Sequence, residues 1–332
     1  MTLLDRPAGL EPPDGGAKIV VVVPAYRAAA TLADVIARIP PLVRHVLVID
    51  DASPDDLGAA VTRAADPRVE FLRHAVNRGV GGACKTGFAR ALELGADVVV
   101  KLDSDGQMDP ARIPALIAPL LARRADLVKG NRFWDFELIG RMPAMRRFGN
   151  LGLSFLVKLA SGYWTVFDPC NGYLAVSGGL LARLRREQLA ERYFFEISLL
   201  CESYLARAVV RDLPMPPVYG DEVSSLSPAR SFFEFVPKLL ARAARRIGLF
   251  YFVRDFNLVS VFLLAGVPLL LFGGAWSAVH WARSLSTGVV ASTGTVVVGL
   301  LPIILGFQLL LQAVVLDVQN EPGRSEPGQR GG

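Results

Sequence analysis

Asp103 and Asp105 stand two residues apart in the run Asp97-Val-Val-Val-Lys-Leu-Asp-Ser-Asp-Gly-Gln-Met-Asp-Pro110, with Asp109 close behind. Residues 98–102 have the length and branching of a largely buried strand, with Lys101 as their one charge. That strand delivers the acids to the turn at its end. Crowding three carboxylates costs repulsion unless water or a cation answers it, and a hard divalent ion with oxygen ligands, Mg2+ or Mn2+, would do so. The plain alternative is an acidic, glycine-containing surface turn. Asp109, directly before Pro110, has the position of a helix N-cap, which leaves Asp103 and Asp105 as the candidate metal pair.

The elements before this strand place other polar turns beside it. Residues 19–23 are a β-branched strand ended by Pro24, and a helical pattern covers 31–39. A strand at 46–49 ends in Asp50-Asp51-Ala52-Ser53-Pro54, a helix covers 57–65, and a strand at 69–72 leads to Asn77-Arg78-Gly79-Val80-Gly81-Gly82. That turn opens a helix over 83–94. Alternating strands and helices predict an α/β fold with a mostly parallel sheet and helices on both faces, and ligands bind such sheets at the carboxyl ends of the strands. The turns at Tyr26, Asp50, Arg78 and Asp103 all fall at those ends, and their chemistry suits a nucleotide. Tyr26 can stack on a base, Asp50 or Asp51 can accept its ring N–H, and Arg78 with the glycine turn can approach ribose or phosphate. The glycine turn lacks the Gly-Lys-Ser/Thr ending of a P-loop, and no glycine fingerprint follows the first strand, which excludes a Rossmann oxidoreductase.

These blocks, Pro24-Ala25-Tyr26, Val48-Ile49-Asp50-Asp51-Ala52-Ser53, Asn77-Arg78-Gly79 and Asp103-Ser104-Asp105-Gly106-Gln107, resemble those of family 2 glycosyltransferases with the GT-A nucleotide-sugar-binding fold. The closer likeness is to the dolichol-phosphate mannosyltransferase group and its bacterial polyprenyl-phosphate relatives, and it covers residues 18–240. The resemblance implies a donor site lined by Pro24, Tyr26, Asp50, Asp51, Arg78, Gly79, Asp103, Gln107 and Glu196. It implies that Arg132, at the end of a strand over 127–130, and one of Arg146 or Arg147 grip the acceptor's phosphate, a task suited to the guanidinium fork. Attraction to anionic lipid is the other reading of Arg146 and Arg147.

In relatives with hydroxyl acceptors a carboxylate from this region acts as general base, and Asp168 is the one carboxylate in Phe167-Asp168-Pro169-Cys170-Asn171-Gly172-Tyr173. A phosphate acceptor, with a second pKa of about 6, needs no base, so Asp168 is expected to position the turn or the sugar, or to act as a structural cap. Glu196, at the start of a helix, faces the donor sugar by resemblance, or complements the helix dipole. The run 219–226 resembles a loop that closes over substrate and carries a lysine or arginine. Val223 stands at that position here, with Arg230 a possible substitute.

The chain's hydrophobic fraction of 52% is high for a soluble domain. The excess lies in two uncharged runs, 258–276 and 288–316, each long enough to cross about 30 Å of hydrocarbon as a helix. Residues 1–17 have no apolar h-region, so everything before the first run is expected in the cytoplasm. Arg242, Arg245, Arg246 and Arg254 before that run, against Arg283 between the two, agree. Residues 229–256 alternate aromatics and leucines with arginines and predict amphipathic juxtamembrane helices. Gln308 and Gln312, four apart, hint at a homo-oligomer. Net charge +5 is concentrated beside the membrane segment, so anionic lipid, and no nucleic acid, is the expected partner. Cys84, Cys170 and Cys201 lack metal-ligand spacing.

The expected organisation is a disordered segment over 1–17, a catalytic domain over 18–228, juxtamembrane helices over 229–256, a two-span hairpin over 257–317 and a disordered cytoplasmic tail over 318–332. The expected function is inverting transfer of a hexose from a UDP- or GDP-linked donor to polyprenyl (undecaprenyl) phosphate at the cytoplasmic membrane face. The alternatives are a membrane polysaccharide synthase, against which the lack of a Gln-x-x-Arg-Trp block counts, another lipid-acceptor glycosyltransferase, and a sugar-nucleotide-sensing membrane scaffold.

Overall fold

The computed structural model describes residues 16–132, 144–215 and 228–323, with side chains except at 144–152 and 228–233. The chain forms two compact units, residues 1–242 and 243–332.

The first unit is built on seven strands in the order β3-β2-β1-β4-β6-β5-β7. They are β1 (Ile19–Ala25), β2 (His45–Asp50), β3 (Val69–Arg73), β4 (Val98–Lys101), β5 (Leu127–Asn131), β6 (Leu174–Ser177) and β7 (Val210–Pro214). Helices α1 (Leu32–Ala37), α2 (Leu57–Ala64), α3 (Val80–Glu93), α4 (Ile113–Leu121), α5 (Ala144–Ser161), α6 (Gly178–Arg183) and α7 (Phe195–Leu205) connect them. β1 is buried along its whole length, as its unbroken apolar sequence requires of a central parallel strand. Four pairings are parallel, and β6 runs antiparallel to both β4 and β5. The sheet is therefore mixed, with its parallel part at the amino-terminal half. Order reverses between β1 and β4: β2 and β3 lie to one side of β1 and β4 to the other, so a crevice opens at their carboxyl ends.

One helix start differs from the expected position. α3 begins at Val80, so Gly81 and Gly82 belong to its first turn. A Cβ on Gly81 would lie 2.1 Å from the Ala190 carbonyl oxygen, and the Gly82 amide donates to the Glu191 carbonyl at 2.9 Å. The missing Cβ at Gly81 lets the chain at 190–191 lie directly on the helix.

The second unit takes in the end of α8 (Pro228–Ile247), a π-helical segment at Gly248–Arg254, and two long helices, α9 (Leu258–Thr287) and α10 (Thr293–Gln319). Both long helices are apolar and long enough to cross a membrane. α9 runs eleven residues past the uncharged run and carries Arg283 inside it, because nothing breaks the helix before Gly288, which caps it at φ +68°. Asn257 and Ser260 form a capping box at its start, and Ser292 caps α10. α10 therefore starts at Thr293 and continues two residues beyond the expected end of the hairpin. Heptad-spaced glycines join the two helices. A Cβ on Gly273 would lie 2.6 Å from the Gly299 carbonyl oxygen, and one on Gly266 would lie 3.1 Å from that of Gly306. At the base of the hairpin, Arg246 makes a buried pair with Asp317 through both oxygens, at 2.7 and 2.9 Å. The Tyr251 hydroxyl donates to the same carboxylate at 2.5 Å. Gln308 and Gln312 are exposed on α10.

Candidate functional site

At the carboxyl ends of β1 and β4 lies a cavity of about 800 Å³, within the usual range of a small-molecule site. It collects Pro24 and Tyr26 from the end of β1, Asp51 from the turn after β2, and Gly79 from the turn before α3. Asp103, Asp105 and Gln107 enter after β4, Arg132 after β5, Cys170, Asn171 and Gly172 before β6, and Glu196 from the first turn of α7. Arg192, Tyr193 and Phe235 complete one side. Turns far apart in sequence thus meet in one place.

Asp50 and Arg78 do not line this cavity. Asp50 is fully buried; it accepts from the Ser53 amide at 2.7 Å and lies 3.3 Å from Arg73, so it braces the end of β2. Arg78 turns outward to Glu191 at 3.2 Å. Asp51 is buried beside the cavity, and both its oxygens are engaged. Oδ1 meets His74 Nδ1 at 2.7 Å and the Arg78 amide at 2.9 Å, and Oδ2 accepts from the Gly79 amide at 2.6 Å. His74 Nε2 in turn meets the Thr86 hydroxyl at 2.9 Å. Asp51 therefore shapes the Asn77-Arg78-Gly79 turn from within. Tyr26 is 44% exposed at the cavity wall, with the Arg27 guanidinium 5.4 Å from its ring, a flat surface open to a stacking partner.

Asp103 and Asp105 both open to the cavity. Asp103 Oδ1 accepts from the buried Lys101 ammonium at 2.6 Å, and Lys101 Nζ lies 3.4 Å from Glu196 Oε1. Burial pulls the Lys101 pKa down, but Asp103 and Glu196 outweigh it, and the net direction is up, so the lysine stays charged. Asp105 Oδ1 accepts from the Gln107 amide at 2.9 Å, which folds the acidic turn back on itself. A hard ion suits this pair: the donors are carboxylate oxygens, and a Cβ at Gly172 would sit 2.7 Å from Asp103 Oδ2, so the glycine keeps that oxygen uncovered. Among the described residues no group of three metal-ligating side chains forms. Such an ion would take the rest of its shell from phosphate and water, the usual arrangement for Mg2+. Asp109 caps the 3-10 turn Pro110–Arg112 by accepting from the Ala111 amide at 3.1 Å.

Arg132 lies along the cavity, held by Asp168. Its Nε donates to Oδ2 at 2.8 Å and its Nη2 to Oδ1 at 3.2 Å, a two-point pair with a carboxylate that is 1% exposed. Asp168 is thus behind the cavity wall, not in it. Asn171 rivets the same turn: its Nδ2 donates to the Gly130 carbonyl at 2.8 Å, and its own carbonyl accepts from buried Lys129 at 2.6 Å. Asp212 on β7 accepts from the Phe167 amide at 2.8 Å and from Asn131 Nδ2 at 3.2 Å. Burial pushes its carboxyl up to about 6.

Lys101, His74 and Asp212 are the participants that sequence reasoning missed. A lysine inside an apolar strand offers a faint signal; His74 and Asp212 offer none. The side chains of Arg146 and Arg147, at the start of α5, and the run 219–226 with Val223 lie outside the described residues, as does the side chain of Arg230.

Comparison with known proteins gives this arrangement its class. The family model for glycosyl transferase family 2 matches residues 20–184. The chain is 32% identical over 187 residues to the undecaprenyl-phosphate mannosyltransferase of Micrococcus luteus, covering 55% of this chain and 76% of that one. It belongs to glycosyl transferase family 2 and is a glycosyltransferase of GT-A-like fold. It is also 29% identical over 221 residues to the UDP-N-acetylglucosamine--dolichyl-phosphate N-acetylglucosaminyltransferase of Methanococcus voltae, covering 61% of this chain and 86% of that one. Among solved structures, glucosyl-3-phosphoglycerate synthase from Mycobacterium tuberculosis is similar, with a TM-score of 0.53 and 25% identity over 71% of this chain and 81% of that one.

Proposed function

We propose that this glycosyltransferase moves a hexose from a UDP- or GDP-linked donor to a polyprenyl phosphate at the cytoplasmic membrane face, with inversion at the transferred carbon. The observation that carries the reading is Arg132, pinned by Asp168 along the same cavity as the Asp103-Asp105 pair, in a chain that also has two candidate membrane-spanning helices. The names of the relatives, which specify undecaprenyl and dolichyl phosphates as acceptors, support a lipid phosphate.

In this scheme Tyr26 stacks on the base, and Pro24 and Gly79 shape the wall around the nucleoside. Asp103 and Asp105 would hold Mg2+ or Mn2+, which when bound neutralises charge on the leaving diphosphate. Gln107 and its amide bond to Asp105 fix the acidic turn, and Glu196 faces the donor sugar. Arg132 orients the attacking phosphate oxygen, with Arg146 and Arg147 as further phosphate ligands. A phosphate monoester is largely dianionic at neutral pH, so attack needs no general base and Asp168 is free to serve Arg132. Positioning and electrostatics then supply the catalysis.

The test incubates detergent-purified protein with undecaprenyl phosphate and labelled UDP- and GDP-sugars, with and without chelator, and 3-phosphoglycerate as a soluble acceptor control. A metal-dependent, lipid-extractable product of inverted anomeric configuration from one donor is expected. Transfer to phosphoglycerate alone, or no lipid product from any donor, overturns the reading.

A further inference from the structure

The acidic pair carries a cation of its own. Lys101 is 1% exposed, at the end of β4, and its ammonium lies 2.6 Å from Asp103 Oδ1 and 3.4 Å from Glu196 Oε1. It joins the carboxylate assigned to the ion and the carboxylate assigned to the sugar, from two separate elements. The surroundings are shaped for it: a Cβ at Gly172 would fall 2.5 Å from Lys101 Nζ and 2.7 Å from Asp103 Oδ2. A Cβ at 172 would crowd both ends of the pair, so one of them would have to shift.

We propose that Lys101 is a resident cation of the donor site, holding one oxygen of Asp103 so that a divalent ion is bound firmly only when it arrives with a nucleotide diphosphate. This rests on the reading of Asp103 and Asp105 as the metal pair. With Oδ1 engaged, Asp103 offers the ion one oxygen, and Asp105 adds a second ligand whose own Oδ1 already accepts from the Gln107 amide. An ammonium bonded to the same carboxylate repels a bare divalent ion, in surroundings where charge is poorly screened. The two negative charges of a bridging diphosphate reverse that balance. Ion and donor therefore load together. The tether to Glu196 has a second consequence: loading at Asp103 is felt at the carboxylate facing the sugar, through one shared ammonium.

The experiment measures binding of Mn2+ alone to the full-length protein in detergent, by the spin-resonance signal of the free ion, and repeats it with saturating UDP and, separately, GDP. For the wild type, weak binding that tightens by about tenfold or more with one nucleotide is expected. Lys101→Met removes the resident charge at similar volume, and should bind Mn2+ alone about tenfold more tightly, with most of the nucleotide dependence gone. Gly172→Ala, which presses between Nζ and Asp103, should shift binding in the same direction and keeps the test open if K101M does not fold. Lys101→Arg is not expected to restore the wild-type pattern, because the guanidinium does not fit the space Gly172 leaves. Folded K101M and G172A proteins with Mn2+ affinity equal to or weaker than wild type overturn the proposal while leaving the metal pair intact. Failure of the wild type to bind Mn2+ with either nucleotide removes the metal pair itself, and the proposal with it. Asp103→Asn, expected to abolish binding in both conditions, separates binding at this pair from binding elsewhere.

Discussion

Asp168 is a carboxylate in the right stretch of chain for a base and in the wrong place to be one. Its two oxygens face Arg132, and it is buried behind the cavity wall. Asp168→Asn should leave the protein folded but loosen Arg132, lowering the transfer rate by roughly 10- to 100-fold, the scale expected of a misplaced orienting group. The shape of the pH–rate profile should not change; loss of a titrating limb in the variant would make Asp168 a base after all. Asp212 gives a second test. Burial raises its carboxyl to about 6, and its Oδ1 is buried without a hydrogen-bond partner. The folded chain then holds this proton more tightly than the unfolded chain, so the contribution of Asp212 to stability is largest below about pH 4 and declines as pH rises to about 6. The decline is bounded at about 3 kcal/mol. Asp212→Asn should gain on wild type between pH 4 and 6.5 in the first thermal transition, and parallel curves would refute the assignment. Acids and arginines at strand ends were legible in the sequence because the strands before them are plainly apolar. Lys101 and His74 were not, because their roles exist only once β4 faces α7 and β3 lies in register with β2.

At the scale of elements, the glycine turn before α3 shows why a motif read from residue types can be placed correctly and explained incompletely. Close approach of a phosphate and close approach of another backbone demand the same thing, the absence of a Cβ. Sequence alone does not separate them. In the structure Gly79 and Gly81 accommodate Glu191 and Ala190, and the segment is further held by Arg78 and Lys85 on Glu191, at 3.2 and 3.5 Å. That seat fixes the approach to α7, and so the position of Glu196. Gly81→Ala should cost about 1–3 kcal/mol as an overpacked contact, read as a lower first thermal transition. If the glycines instead served phosphate alone, nucleotide affinity would fall with no change in that transition. The parallel half of the sheet followed from its β-branched runs. The antiparallel insertion of β6 did not, since a four-residue apolar strand carries no sign of its direction.

For the whole molecule the decisive feature is where the charges stop. α9 and α10 present largely apolar, exposed surfaces over 30 and 27 residues, about 45 and 40 Å of helix, longer than a hydrocarbon core of about 30 Å. The surplus of α9 contains His280 and Arg283, so in a membrane-crossing helix its far end would emerge into a polar layer before Gly288 turns the chain. Arg242, Arg245 and Arg254 lie before α9, against Arg283 near the connection, an asymmetry that supports the proposed orientation with the catalytic unit in the cytoplasm. The proposed orientation would put the catalytic unit and the 288–292 connection on opposite sides of the membrane, which is testable without any substrate. Val290 is 88% exposed in the connection, and Glu93 is 63% exposed at the end of α3. In a Cys170→Ser background, where Cys84 and Cys201 are buried, an impermeant maleimide applied to intact cells should label Val290→Cys and spare Glu93→Cys until the cells are opened. The reverse pattern would place the donor site outside, away from cytoplasmic nucleotide sugars. Labelling of both positions would mean that the two long helices do not cross the membrane at all.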